Sequence, residues 1–371
     1  MKEIPFMKPN LVKREDYYHF IEKIDESKIY SNFGPLNIEF QKKIINNYFN
    51  GRGHVTTVSN ATLGLILSIE QVKKVGAKYA IMPSFTFSAT AQAAAWCGLE
   101  PYFIDINEED WAMDNFKLDK ALKELGEEVA VVIPYATFGT YIDCSFYNSL
   151  YLDRGIPVVI DAAPCFGTRH EMIHFGQGFN GPIVYSFHAT KTFAIGEGGM
   201  VYSNDKKLID KIKVASNFGY NGQRESVQLG LNAKLSEYHA AIGLATLEVY
   251  EKKILTRQKI YNWYLQECEF FGLFNKGWKV QKLIGKIPHQ FFTLLCPVGS
   301  HNKFYIEKLE KRNVKAVSYF SPPCHQQRQF SNCLYNDLSV TDEIADRVIS
   351  LPFWEEIDRE TVSLVMKSLV L

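Results

Sequence analysis

The sequence predicts an α/β chain. Its large domain is an α/β/α sandwich with a mixed, mostly parallel sheet, and a smaller α+β domain follows at the C-terminal end. Three observations predict this. Short, near-continuous apolar runs alternate with helix-spaced segments through the first half of the chain. Such runs suit strands of a largely parallel sheet covered on both faces. Next, "PIVYSFHA" and "GGMVYSND" are two strand-like runs close together in sequence. Finally, one long helical pattern, from about Ala233 to Glu267, starts small and apolar and turns charged, which suits a bridge from one core to another. At 371 residues the chain is too long for one small core. The expected divisions are an N-terminal segment 1–30 of unassigned placement, a large domain 31–252 and a small domain 253–371.

In chain order, "VTTVSN" is a β-prone run and "ATLGLILSIEQVKKV" follows with helical spacing. "YAIMPSF" reads as a strand and "SATAQAAAWCG" as a helix ended by Gly98. The strands "EPYFIDI", "VAVVIPYA" and "IPVVIDAA" alternate with the helices "LDKALKEL" and "SFYNSLYLDRG". In the C-terminal part, "HQFFTLLCPV" reads as a strand, and "HNKFYIEKLEKRN" and "TDEIADRVISL" as helices.

Composition excludes several functions. Apolar residues make up 46% and charged residues 22%, ordinary for a globular protein. With 41 basic against 41 acidic residues, no long-range field calls for nucleic acid or an anionic membrane. Seven scattered cysteines without a CxxC pair fit a reducing compartment better than a disulfide framework. No apolar run approaches the roughly 20 residues that span a bilayer, and "MKEIPFMKPNLVKRED" lacks the apolar stretch of a signal peptide. The expectation is a soluble cytoplasmic protein.

Two motifs mislead. "HEMIH" (His170 to His174) matches the zinc-protease pattern HExxH, which needs several helical turns. Glycines crowd it on both sides, so an exposed turn or hairpin is expected and no metal site. Gly176, Gly178 and Gly181 spell GxGxxG, but they precede a strand instead of following one, which is turn chemistry.

Four other signals belong together. "VSNATLGL" runs from a strand into a helix through small polar residues, and a helix N-terminus there suits a phosphate. Plain N-capping by Ser59 or Asn60 needs the same residue types. Phe87 follows a strand and fits either a core or a flat wall against a ring. Asp161 ends the apolar run "VVIDAA"; a buried carboxylate requires a partner, unless it simply caps a helix. Lys191, in "SFHATKTFAIGEGG", also follows a strand and has an apolar, glycine-rich setting. Desolvation would make its amine reactive, while a snorkelling lysine is the plainer alternative. In this chain order the four are the parts that hold pyridoxal 5′-phosphate. The lysine bonds the cofactor, the acid pairs with the ring nitrogen, the aromatic stacks on the ring, and Ser186 can reach the phosphate. An ion pair at about 4 Å is worth up to about 4 kcal/mol at an effective dielectric near 20, enough to keep that nitrogen protonated.

At these residues the sequence resembles the DegT/DnrJ/EryC1/StrS group of sugar aminotransferases, with the aspartate aminotransferase-like fold type I, over nearly the whole chain. The resemblance implies that Lys191 is the Schiff-base lysine and Ser186 a phosphate ligand. Asn60 and Ala61 would present backbone N–H groups to the phosphate, Phe87 would stack, and Asp161 would be the pyridine partner. "GLNAKLSEYHAAIGL" resembles a segment in which Asn232 would reach the neighbouring subunit's phosphate, which implies a homodimer with shared sites. "IYSNFGPLNIEFQKKI" and "SYFSPPCHQQRQF" resemble substrate-side segments, placing Asn32, Tyr319 and His325 near the sugar. The family's usual Gln or His after Asp-Ala-Ala is Pro164 here, which removes a donor. Some members carry histidine for the lysine and act as dehydrases; Lys191 argues against that.

The implied reaction is ping-pong transamination. Glutamate gives its amine to the cofactor and leaves as 2-oxoglutarate, and a nucleotide-linked keto sugar receives the amine. The preferred acceptor is a dTDP-4-keto-6-deoxyhexose aminated at C4, feeding a surface glycan; amination at C3 is the alternative. From other classes, a zinc hydrolase built on "HEMIH" and a cofactor-binding regulator without catalysis stay open.

Overall fold

The structure, a computed structural model, describes residues 3–370. The chain begins with α1 (Arg14–Ser27), α2 (Pro35–Tyr48), β1 (His54–Val58), α3 (Ala61–Val72), β2 (Tyr79–Pro83), α4 (Ser88–Trp96), β3 (Glu100–Ile104), α5 (Asn115–Leu125) and β4 (Val129–Val132). It continues through α6 (Cys144–Leu152), β5 (Ile160–Asp161), β6 (Arg169–His170), β7 (Ile173–His174), β8 (Ile183–Ser186), β9 (Gly199–Ser203) and α7 (Lys206–Ala215). The last elements are α8 (Glu237–Phe270), β10 (Phe292–Leu295), α9 (Asn302–Glu310), α10 (Ser339–Arg347), β11 (Val348–Leu351) and α11 (Arg359–Val370).

Parallel bridges at Val132–Val158 and Tyr135–Asp161 join the sheet pieces β3-β2-β4 and β5-β8-β9-β1 into one layer. Within it, β9 runs antiparallel to both β8 and β1. The strand residues divide between two cores with a period of two. Tyr79, Ile81, Ile183, Tyr185, Met200 and Tyr202 face the side packed by α2 and the first half of α8. Ala80, Met82, Val184 and Val201 face Leu65 and Leu67 of α3, Ala91 of α4 and Ile212 of α7. Burial on both faces is why these strands read as continuous apolar runs.

The 34-residue α8 starts from the N-cap Ser236, whose hydroxyl accepts from the His239 amide at 3.3 Å. Its Leu244, Tyr250 and Ile254 belong to the large core, whereas Ile260, Tyr264 and Cys268 belong to a separate core with β10, β11 and α11. The change of core therefore falls inside one continuous helix. One sequence expectation fails here: "TDEIADRVISL" is not a single helix. The helix stops at Arg347, and Val348–Leu351 pairs antiparallel with Phe292–Leu295. Ile349 and Leu351 fill the small core, Val348 packs on the other side with Phe85, Trp111 and Leu295, and pairing overrides the helical spacing of the preceding residues. The N-terminal segment also finds its place. Ile4 bridges Val314, Phe6 O accepts from Phe353 N at 3.0 Å, and α1 packs on α8.

Candidate active site

Strands β1, β2, β5 and β8 end at one edge of the sheet, and the residues that follow them wall a cavity of about 1010 Å³. This is where a parallel sheet presents ligand sites. Asn60, Ala61, Phe87, Asp161, Ser186, Lys191 and Tyr319 all line it.

Asn60 caps α3, its Oδ1 accepting from Leu63 N at 2.9 Å. Capping leaves room for an anion here, because the cap uses the Leu63 amide while Ala61 and Thr62 lie at the cavity wall in the first turn. Gly199, at the start of β9, lies against this turn. A Cβ there would stand 2.9 Å from Ala61 N and 2.8 Å from Tyr185 O, so only glycine permits the approach. Ser186, buried at the end of β8, accepts from His188 N at 3.3 Å. The ring of Phe87 is 57% exposed and faces the cavity, free to cover a flat ligand.

Asp161 is 3% exposed. Its Oδ2 accepts from Thr90 Oγ1 at 2.6 Å and its Oδ1 from Ala163 N at 3.1 Å. Burial pushes the carboxyl above the usual carboxylate range, and these two donors and the Lys191 charge pull it back. Lys191 keeps partial exposure through the open cavity, but desolvation of its amine lowers the pKa to about 8 against the opposing pull of Asp161 and Cys165. Its Nζ lies 3.2 Å from Gln290 Oε1. The site thus combines an amine poised near neutrality with a buried carboxylate.

Three other residues of interest lie elsewhere. Asn32 sits in a separate surface depression formed by residues 28–35 and Ile38. Asn232 is exposed, its Oδ1 accepting from Lys234 Nζ at 2.7 Å. His325 is outside the cavity wall, with Nδ1 2.7 Å from Ser84 Oγ and Nε2 3.2 Å from Asp342. The trio has the residue types of a hydrolase triad, but the ring nitrogens face the opposite partners, and Ser84 is fully buried and beyond a substrate's reach. "HEMIH" forms the hairpin β6–β7. His170 pairs with Ile173 and His174 with Arg169, which sets the two imidazoles on opposite faces, His170 against Tyr141 and His174 against Tyr48. They cannot share a ligand. Among the described residues no cluster of three or more His, Cys, Asp or Glu could hold a metal.

Sequence reasoning missed Thr90 and Gln290. Thr90 lies inside an ordinary helical stretch, and its partner Asp161 is 71 residues away. Gln290 comes from the segment just before β10 and meets Lys191 99 residues distant. No local pattern announces either contact.

These residues fit pyridoxal 5′-phosphate. The α3 N-terminus, closely approached by Gly199, offers first-turn amides and a helix end suited to a phosphate. Asp161 offers a buried negative charge that lacks a cationic hydrogen-bond partner, Phe87 offers an uncovered ring, and Lys191 offers a desolvated amine.

The comparisons agree with this geometry. The model of the DegT/DnrJ/EryC1/StrS aminotransferase family matches residues 12–370. A Bacillus cereus ATCC 10987 protein assigned as a PLP-dependent aminotransferase has a crystal structure that superposes with a TM-score of 0.98 at 47% identity, covering 100% of both chains. The crystal structure of DesI in the presence of its TDP-sugar product gives a TM-score of 0.88 at 28% identity, covering 100% of this chain and 92% of that one. The dTDP-4-amino-4,6-dideoxy-D-glucose transaminase of Escherichia coli is 26% identical, covering 100% of this chain and 98% of its own. The chain therefore belongs to the DegT/DnrJ/EryC1/StrS aminotransferase family and is a pyridoxal 5′-phosphate-dependent aminotransferase of fold type I.

Proposed function

We propose that the protein moves an amino group from glutamate to the C4 keto group of a dTDP-linked 4-keto-6-deoxyhexose. The observation that carries this reading is the cavity. The Lys191 amine opens onto about 1010 Å³, at the top of the range for small-molecule sites, with room for a large acceptor beside a cofactor. The names of the Escherichia coli transaminase and of the DesI complex support a dTDP sugar as that acceptor.

When bound, pyridoxal phosphate supplies an electron sink for the substrate carbon. The protein supplies the rest. The Ala61 and Thr62 amides and the Ser186 hydroxyl bind the phosphate. Asp161, held by Thr90 and Ala163, fixes a proton on the ring nitrogen. Phe87 covers one face of the ring and excludes water. Lys191 would anchor the cofactor, and its amine would move a proton to and from the substrate carbon. An amine pulled down to about 8 exchanges that proton readily near neutral pH.

The test uses the purified enzyme with glutamate and then dTDP-4-keto-6-deoxyglucose, following the cofactor spectrum in each half-reaction. Recovery of the starting spectrum on adding the 4-keto sugar supports the reading; faster recovery with a 3-keto sugar overturns the C4 assignment. Lys191→Ala should abolish turnover, and a wild-type rate in that variant would remove Lys191 from its role.

The same reading includes a homodimer with shared sites. Leu229, 72% exposed, and Leu231 stand at the cavity rim, and the exposed Asn232 follows them. If Asn232 completes the partner's site, mixed dimers of Asn232→Ala and Lys191→Ala chains regain one intact site and activity above either parent. No gain in the mixture contradicts sharing.

A further inference from the structure

The loop that carries Lys191 is bonded at three successive residues to one short segment of the small core. Thr192 Oγ1 donates to Pro288 O at 2.8 Å. Gln290 Nε2 donates to Thr190 O at 3.1 Å, and Gln290 Oε1 accepts from Lys191 Nζ at 3.2 Å. The segment is itself fixed. Arg257 NH1 donates to His289 O at 3.0 Å and to Gln290 O at 3.3 Å, and Arg257 Nε donates to Glu355 Oε1 at 2.9 Å. Gln290 is 5% exposed and Arg257 3%, so the chain of contacts runs through packed interior.

We propose that Gln290 is a positioning residue for Lys191, its buried amide accepting from the reactive amine and tying that amine to the backbone of its own loop. With both ends of the amide engaged, the carbonyl oxygen has one orientation. A neutral amine that gives one N–H to this oxygen turns its lone pair away from Gln290, toward the cavity. The amide carries no charge, so it orients the amine without locking a proton on it, as a carboxylate would. The other titratable groups facing the amine are Asp161 and Cys165, from β5 and the turn after it, with Tyr135, in the segment after β4, beside them. His188 and Glu197 lie on the lysine's own loop.

The inference rests on Lys191 being the reactive amine and not on the identity of the sugar. Its test is the rate at which cofactor-free, full-length protein takes up pyridoxal 5′-phosphate, read from the absorbance of the lysine-bound cofactor between about pH 6 and 10. Only the neutral amine attacks, so the rate rises through the amine's pKa, about 8 in the wild type. Gln290→Leu removes an acceptor that favours the charged amine, and the midpoint falls by about one unit. Gln290→Glu puts a charge in the same place, and the midpoint rises by about one unit or more. Both variants slow the glutamate half-reaction through kcat more than through KM. A role confined to packing would not move the midpoint in opposite directions. Midpoints unchanged, or shifted alike in both variants, overturn the proposal. If the leucine variant does not fold, an unmoved midpoint in the glutamate variant alone overturns it. If wild-type protein takes up cofactor without using Lys191, the reading of the site fails, and this proposal with it.

Discussion

Thr90 Oγ1 donates a 2.6 Å hydrogen bond to Asp161 Oδ2, linking α4 to the end of β5 at the floor of the cavity. The bond favours the ionised carboxylate against the burial that disfavours it. Thr90→Val keeps the shape and removes the donor. It also orphans Thr86 Oγ1, which lies 3.0 Å from Thr90 Oγ1. The expected loss is about 1–3 kcal/mol in the pairing of Asp161 with the cofactor ring, or about 5- to 150-fold in cofactor affinity. Equilibrium dialysis of cofactor measures it, and wild-type affinity would mean that Asp161 is ionised without help.

How far this site could be read from the sequence depends on the range of each contact. Asn60, Phe87, Asp161 and Lys191 each end or follow a strand, and strand ends are visible as the close of an apolar run. The sheet edge then gathers them without further information. Thr90 and Gln290 act across the fold, and nothing in their neighbours encodes the partner. His325 has the opposite problem. Its segment was legible, but Ser84 and Asp342 take both ring nitrogens and hold it outside the cavity. The mistaken helix at "RVISL" has the same origin, since only β10 decides that Val348–Leu351 is a strand.

Gly199→Ala should damage the phosphate cradle without touching a polar group. The new Cβ would stand 2.8 Å from Tyr185 O and 2.9 Å from Ala61 N, both backbone atoms that cannot rotate away. Either β9 or the α3 N-terminus must move. The expected cost is about 1–3 kcal/mol in stability, as for other overpacked sites, with a further loss of cofactor affinity that added inorganic phosphate no longer competes for. Denaturant unfolding and phosphate competition measure the two effects separately.

Asp161→Ala should leave cofactor attachment to Lys191 in place but lower kcat by about 10²-fold or more, the scale of losing one directed electrostatic group in a desolvated site. Asp161→Asn keeps the volume and can still meet Thr90, so an equal loss in both variants assigns the effect to charge. An unchanged kcat in the alanine variant would remove Asp161 from the ring nitrogen.

The amine of Lys191 should be a measurable burden on the cofactor-free fold. Its pKa falls from 10.5 to about 8 on folding. Between those values the unfolded chain binds more protons than the folded one, so stability rises with pH through that window and the full penalty applies below about 8. The shift corresponds to about 3 kcal/mol at most. Residual solvent access and the contact with Gln290 reduce what a substitution recovers, so Lys191→Met is expected to stabilise cofactor-free protein by about 1–2 kcal/mol at pH 7. The advantage should shrink as the pH rises from about 8 toward 10.5. Urea unfolding of both proteins at pH 7 and at about pH 9.5 checks the sign and the trend. A methionine variant less stable than wild type at pH 7, or a gap that widens with pH, would contradict a desolvated amine at this position.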